Sequence, residues 1–121
     1  MISRSQTGIQ GEVAATEYLR KNGYLICARN WRQGRYEIDI VAQKAGVLHI
    51  IEVKTRRADS LLKPEETITP TKAAALRKAA AAYLSQHPTM EEVVFDLIAV
   101  DTFPDCSHEI RFVANVIEFG W

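Results

Sequence analysis

The sequence predicts an α/β fold in which a central mixed β-sheet is flanked by helices, with the core order α-β-β-β-α-β and a further strand after it. Two contrasting periodicities predict it. Residues 7–22 and the alanine-rich stretch after Thr69 repeat their apolar positions at helical spacing, whereas 36–42, 47–55 and 93–100 are short runs rich in valine and isoleucine. The third observation is what is missing: no long linker and no internal repeat interrupts the pattern, so residues 1–121 are expected to form one domain.

The first helix is expected over 7–22, with Gly8, Gly11, Ala15, Tyr18 and Leu19 on one face and Glu17, Arg20 and Lys21 directed elsewhere. Asn22-Gly23 ends it, because both residues tolerate the left-handed backbone. Tyr24–Ala28 is short, apolar and aromatic, which suits a strand. A turn near Gln33-Gly34 leads to a second strand, Tyr36–Ala42, and the hairpin turn Lys44-Ala45-Gly46 to a third, Val47–Thr55. Residues 56–68, with Pro64, lack periodicity and read as a loop. Thr69 then offers a capping hydroxyl and Pro70 a preset first turn. The helix they begin should run to Gln86, bury Leu76, Ala80, Tyr83 and Leu84, and stop before Pro88. Val93–Val100 and Ile110–Ile117 are the last two expected strands.

Composition narrows the function classes. An apolar fraction of 47% with 25% charged residues supports one core of ordinary size, and no disordered or disulfide-stapled class fits. Fifteen basic residues balance fifteen acidic ones, so any case for a nucleic-acid partner must come from local clustering. Cys27 and Cys106 are far apart and read as free thiols, while His49, His87 and His108 stand alone, which argues against structural zinc. The N-terminus lacks a signal-like apolar stretch and no apolar run approaches bilayer length, so a cytoplasmic protein without membrane contact is expected.

The second and third strands break the pattern of a plain core. Side chains alternate along a strand, so Glu37 and Asp39 share one face of Tyr36–Ala42 while Ile38 and Ile40 take the other. By the same rule Glu52 and Lys54 project opposite Ile51 and Val53. Runs this apolar belong near the centre of a sheet, where an unpaired carboxylate costs several kcal/mol. Two carboxylates on neighbouring strands also repel each other. A divalent cation relieves both penalties, and an all-oxygen donor set suits magnesium or manganese. An ion-paired hairpin, with Lys54 neutralising Asp39 or Glu52, remains open as the alternative. Glu12 lies along the apolar face of the first helix; it is either a border residue or a carboxylate that reaches the same site.

Asp39 followed by Glu52-Val53-Lys54 resembles the signature of the PD-(D/E)xK nuclease superfamily, which includes restriction enzymes and Holliday-junction resolvases; Ile38 stands where the motif name has proline. A closer resemblance covers nearly the whole chain. Gly11-Glu12 with Ala15 and Tyr18-Leu19, Arg29-Asn30-Trp31-Arg32, Glu37-Ile38-Asp39, Glu52-Val53-Lys54-Thr55-Arg56 and Phe95-Asp96 are similar to the YraN-like bacterial family. Tyr36 departs from that family, which has glycine before the glutamate. The resemblance implies a restriction-endonuclease-like fold and a metal-dependent nuclease. Asp39, Glu52, Glu12 and the Val53 carbonyl would hold magnesium or manganese, Lys54 would serve the attacking water and the phosphate, and Glu37 is a further candidate acid. Branched DNA as substrate, and a homodimer to match it, follow by analogy with the resolvases.

Basic residues cluster along the same segments. Arg29, Arg32 and Arg35 precede the second strand, Arg56 and Arg57 follow Lys54, Lys63 lies in the loop, and Lys72, Arg77 and Lys78 lie on the second helix. Such residues suit backbone phosphates, and Trp31 suits either base stacking or a cap on the core. Three functions therefore stand side by side: a nuclease acting on DNA, a nucleic-acid-binding module of the same fold, and a protein-interaction domain with an ion-paired acidic cluster.

Overall fold

A computed structural model of the chain describes residues 4–59 and 68–117. Seven elements follow in order: α1 (Arg4–Lys21), β1 (Leu25–Gln33), β2 (Tyr36–Lys44), β3 (Val47–Arg57), α2 (Pro70–Gln86), β4 (Glu92–Thr102) and β5 (His108–Val113). The five strands form one sheet in sequence order. All neighbours are antiparallel except β3 and β4, which run parallel because α2 carries the chain back between them. The expected mixed sheet flanked by helices is therefore present.

Each helix covers one face. Leu76, Ala79, Ala80 and Tyr83 of α2 pack on Ile38, Val41, Leu48, Ile50 and Phe95. On the other face, Ala14, Ala15 and Leu19 of α1 pack on Ile40, Ala42, Ile51, Ile98 and Val100. Both central strands are thus buried on two sides, which is why their sequences read as nearly continuous apolar runs. Thr69 caps α2 as expected, its hydroxyl accepting the backbone N–H of Lys72 at 3.1 Å.

Several boundaries differ from the sequence reading. α1 starts at Arg4 rather than residue 7, and Gly8 is exposed rather than part of the packed face. β1 runs on to Gln33, past the expected end at Ala28. Two irregularities hide this extension: a bulge shifts the register between Ile26 and Ala28, and Asn30 adopts a left-handed φ of 50°. Ile38 and Ile40 were expected on one face but join opposite core clusters. Their segment pairs with β1 on both sides of Asn30, where strict alternation fails. β3 includes Arg56 and Arg57, expected in the loop, and β5 occupies His108–Val113 rather than Ile110–Ile117. The rest of the expected loop, including Lys63, lies outside the described residues from 60 to 67.

Candidate functional site

The site begins where two strands part. β2 and β3 pair from Lys44 and Val47 up to Ile40 and Ile51, and no further. Asp39 is the first residue beyond that point, and its Oδ2 accepts the backbone N–H of Val53 at 2.8 Å. The carboxylate thereby replaces the ladder bond the separation removes. A residue's N–H and C=O leave a strand along the same edge, so the Val53 carbonyl also belongs to this gap.

Glu12 enters from α1. Gly11 lies against Thr55 of β3, and a Cβ at position 11 would run into the Thr55 hydroxyl. The absent side chain lets the helix settle directly on the strand and carries Glu12 inward with it. Glu12 is buried, and its Oε1 has no hydrogen-bond partner among the described residues. Burial raises its pKa above the usual carboxylate range against the opposing pull of Arg29.

Asp39 is more strongly perturbed. Burial pushes its pKa up to about 7, and the negative charge of Glu52 adds to that effect. The Val53 N–H opposes the shift, while Glu12 and Glu37 increase it. Three further carboxylates, Glu52, Glu12 and Glu37, therefore act on Asp39.

Glu52 carries a close countercharge. Its side chain is 8% exposed, and Lys72 Nζ of α2 stands 3.1 Å from its Oε1. Burial tends to lower the Lys72 pKa, but the charge and hydrogen bond of Glu52 outweigh it and the net shift is upward. Lys54 is half-buried and alternates with Val53, which packs on the α1 side, so it takes the Glu52 face. Among the described residues it forms no ion pair. The sequence reading had assigned neutralisation, if any, to Lys54; the structure assigns it to Lys72.

Glu52, Glu12 and Glu37 thus all act on Asp39 where β2 and β3 part, the Val53 backbone lines the same gap, and Lys54 shares the face of Glu52. The basic residues do not gather as uniformly. Arg29 and Arg32 are exposed on β1, with Arg32 Nε 3.8 Å from Glu37. Arg56 is held by Asp101 at 3.0 Å, and Arg57 pairs with Asp59 at 2.9 Å. Trp31 is half-buried against the α2 core, edge-on to Tyr83 at 5.5 Å, so the capping role describes its packing.

Three contacts are not legible in the sequence: that of Lys72 with Glu52, that of Asp96 with His49, and that of Asp101 with its arginines. Lys72 carried a usable signal: a cation in the first turn of a helix with no acidic residue there opposes the helix dipole, so it needs another partner. Asp96 had none beyond its place in the Phe95-Asp96 pair. It is 1% exposed, accepts the Asn115 N–H at 2.9 Å and bonds His49 Nδ1 at 2.5 Å. His49 therefore does not stand alone, although this pair serves the α1 side of the sheet. Asp101, which holds both Arg56 and Arg111, is the third.

A cation could draw on Asp39, Glu52, Glu12 and the Val53 carbonyl, all oxygen donors suited to magnesium or manganese. The unpartnered Glu12 oxygen and the repulsion felt by Asp39 fit such a role. Among the described residues, no three acidic, histidine or cysteine side chains already close on one point. Lys72 also occupies a Glu52 oxygen. Coordination would therefore require the Lys72 ammonium to leave and the carboxylates to draw together.

The fold and site define a mixed α/β protein, a five-stranded sheet between two helices, with a buried acidic group where neighbouring strands part. Residues 11–100 match the model of "Uncharacterised protein family UPF0102", and the chain belongs to that family. A UPF0102 protein of Bacteroides fragilis is 42% identical over 100 residues, covering 83% of each chain. One from Syntrophomonas wolfei is 41% identical over 111 residues, covering 91% of this chain and 96% of its own. One from Lawsonia intracellularis is 37% identical, covering 94% and 86% respectively. The matched segment contains Glu12, Asp39, Glu52 and Lys54. Among the described residues, no helix is long and apolar enough to cross a membrane.

Proposed function

We propose that this protein is a divalent-metal-dependent nuclease of the restriction-endonuclease-like, PD-(D/E)xK kind, hydrolysing phosphodiester bonds in DNA. The observation that carries the reading is Asp39, held by the Val53 N–H where β2 and β3 part, with burial first and then the charges of Glu52 and Glu12 raising its pKa to about 7. A fold that holds carboxylates together against their repulsion gains stability when a cation joins them.

Magnesium or manganese would be held by Asp39, Glu52, Glu12 and the Val53 carbonyl. When bound, the metal supplies an activated water and offsets charge on the phosphate. Lys54, on the Glu52 face without a competing ion pair, would orient that water and meet negative charge on the phosphate oxygen. Lys72, displaced from Glu52, would add a second positive group. Glu37, exposed at the rim, would help exclude misplaced phosphates by repulsion. Arg29 and Arg32 on β1 would contact flanking backbone phosphates, with little sequence preference. Action on branched DNA would call for two copies holding their sites at a fixed separation.

Thermal melting in chelator and in magnesium or manganese tests the site. The cation should raise the Tm of the wild-type chain, and Asp39→Asn should remove the rise. Cleavage of labelled duplex, single-stranded and four-way-junction DNA tests the reaction. Cutting that survives Glu52→Ala combined with Lys54→Ala would place the activity elsewhere.

The Lys72–Glu52 ion pair favours a second reading, in which the protein binds nucleic acid without cutting it and Lys72 serves as the permanent countercharge. The cation would then leave Tm unchanged, and binding would fall steeply with salt. A protein-interaction domain, the third reading, predicts no salt-dependent nucleic-acid binding at all.

A further inference from the structure

The β1–β2 turn faces the N-terminal turns of α2 across a cleft of about 260 Å³, lined by Arg35, Tyr36, Glu37, Lys72, Ala75 and Leu76. Its chemistry is mixed. Ala75, over the buried Leu76, gives it a small apolar wall, Arg35 and Lys72 two cations, and Tyr36, 39% exposed, an aromatic ring. Among the described residues Arg35 makes no ion pair and the Tyr36 hydroxyl no hydrogen bond. An aromatic at a β-turn could have been buried against the α2 core, as Trp31 is nearby. Tyr36 instead remains at the surface beside two positive charges.

Lys72 connects this cleft to the acidic site, because it lines the cleft and its ammonium stands 3.1 Å from Glu52. Whatever enters the cleft therefore shares Lys72 with Glu52. A nucleotide matches the groups present: an aromatic face and apolar wall for the base, and two cations for its phosphate. Glu37, 3.8 Å from Arg32, leaves acceptor capacity for a base amino group. A base inside a duplex is stacked on both faces and cannot offer one to Tyr36, whereas an unpaired base can.

We infer that the cleft receives one unpaired nucleotide beside the bond to be cut, its base on Tyr36 and its phosphate between Arg35 and Lys72, so that the site selects single-stranded or flapped substrates over intact duplex. The inference rests on the nuclease reading for the word "cut", but the subsite itself can be tested without metal.

Fluorescence anisotropy in chelator, with fluorescein-labelled oligothymidylate and a blunt duplex of equal length, measures the preference directly. Tyr36→Ala should weaken oligothymidylate binding about tenfold and lower the ratio of single-strand to duplex affinity by a similar factor. Tyr36→Phe, which keeps the ring, should restore most of the loss. Arg35→Ala should weaken binding and reduce the salt slope by about one phosphate contact. No measurable oligothymidylate binding by the wild-type chain, or Tyr36→Ala with an unchanged ratio, overturns the subsite. The two readings fail separately. Tyr36-dependent binding without any metal response sinks the nuclease but leaves the subsite, whereas metal-dependent cleavage with Tyr36→Ala indifferent to strandedness sinks the subsite alone.

Discussion

Lys72 Nζ of α2 and Glu52 Oε1 of β3 stand 3.1 Å apart, joining the helix that follows the third strand to the most buried acid of the site. Glu52 is shielded from water, while Lys72 remains more than a third exposed. The pair therefore falls between a surface bridge and a fully buried one.

Lys72→Met tests its weight. Removing the ammonium leaves Glu52 without its countercharge, and a loss of about 1–3 kcal/mol is expected, below the full cost of breaking a buried pair. Denaturant unfolding in chelator should show it. Under the nuclease reading, magnesium should stabilise the Lys72→Met chain more than the wild type, because the cation no longer competes with an ammonium.

Gly11 offers a purely steric prediction. Gly11→Ala forces a methyl group into the Thr55 hydroxyl, and overpacking of this kind costs about 1–3 kcal/mol. Thr55→Ala should relieve part of the clash, so the double mutant should be more stable than the sum of the single losses predicts. Urea unfolding of the four proteins in the cycle measures the coupling.

Asp101 sets the acid limb of stability. Burial pushes its carboxyl up, but hydrogen bonds from Arg111 and Arg56 outweigh this and the net pKa lies below the ordinary value. A carboxyl whose folded pKa is depressed contributes stability that is fully present above its unfolded value, about 3.9, and is lost as pH falls through the folded value. Asp101→Asn should therefore lower Tm at neutral pH, with the gap to wild type closing below about pH 4. Melting curves across that range decide it; a gap that stays constant would remove the linkage.

His49 and Asp96 should behave as structural partners. Among the described residues, His49→Leu leaves Asp96, 1% exposed, with the Asn115 N–H as its hydrogen-bond donor, and a loss of about 3–5 kcal/mol is expected for an abandoned buried charge. His49→Leu combined with Asp96→Leu should recover much of it. Under the nuclease reading, the magnesium-induced rise in Tm should persist in that double variant, because neither His49 nor Asp96 is among the groups acting on Asp39.

The residues also show how far the sequence could be read. Element order and the Thr69 cap follow from local rules, because apolar periodicity and capping act over a few residues, whereas the influence of Glu12 on Asp39 depends on how α1 docks on β3. The face of Ile38 and the length of β1 did not follow, because the Ile26–Ala28 bulge and the left-handed Asn30 interrupt the alternation used to find strands. Lys72 with Glu52 and His49 with Asp96 are contacts between distant segments, and only tertiary packing brings them together. Trp31 shows the same dependence: its packing on Tyr83 exists only once α2 is docked.

The early end of β2–β3 pairing has one more consequence. Beyond Ile51, β3 still has β4 on one side, but no described strand partners its other side as far as Arg57. Among the described residues the sheet thus contains an open border within its own interior, and an open border invites another chain to dock as an extra strand. Lys54, Arg56 and Arg57 stand along that stretch. Arg56 and Arg57 are held in ion pairs with Asp101 and Asp59, so Lys54 supplies the charge that discourages self-association there, and neutralising it should promote aggregation even if every carboxylate stays in position.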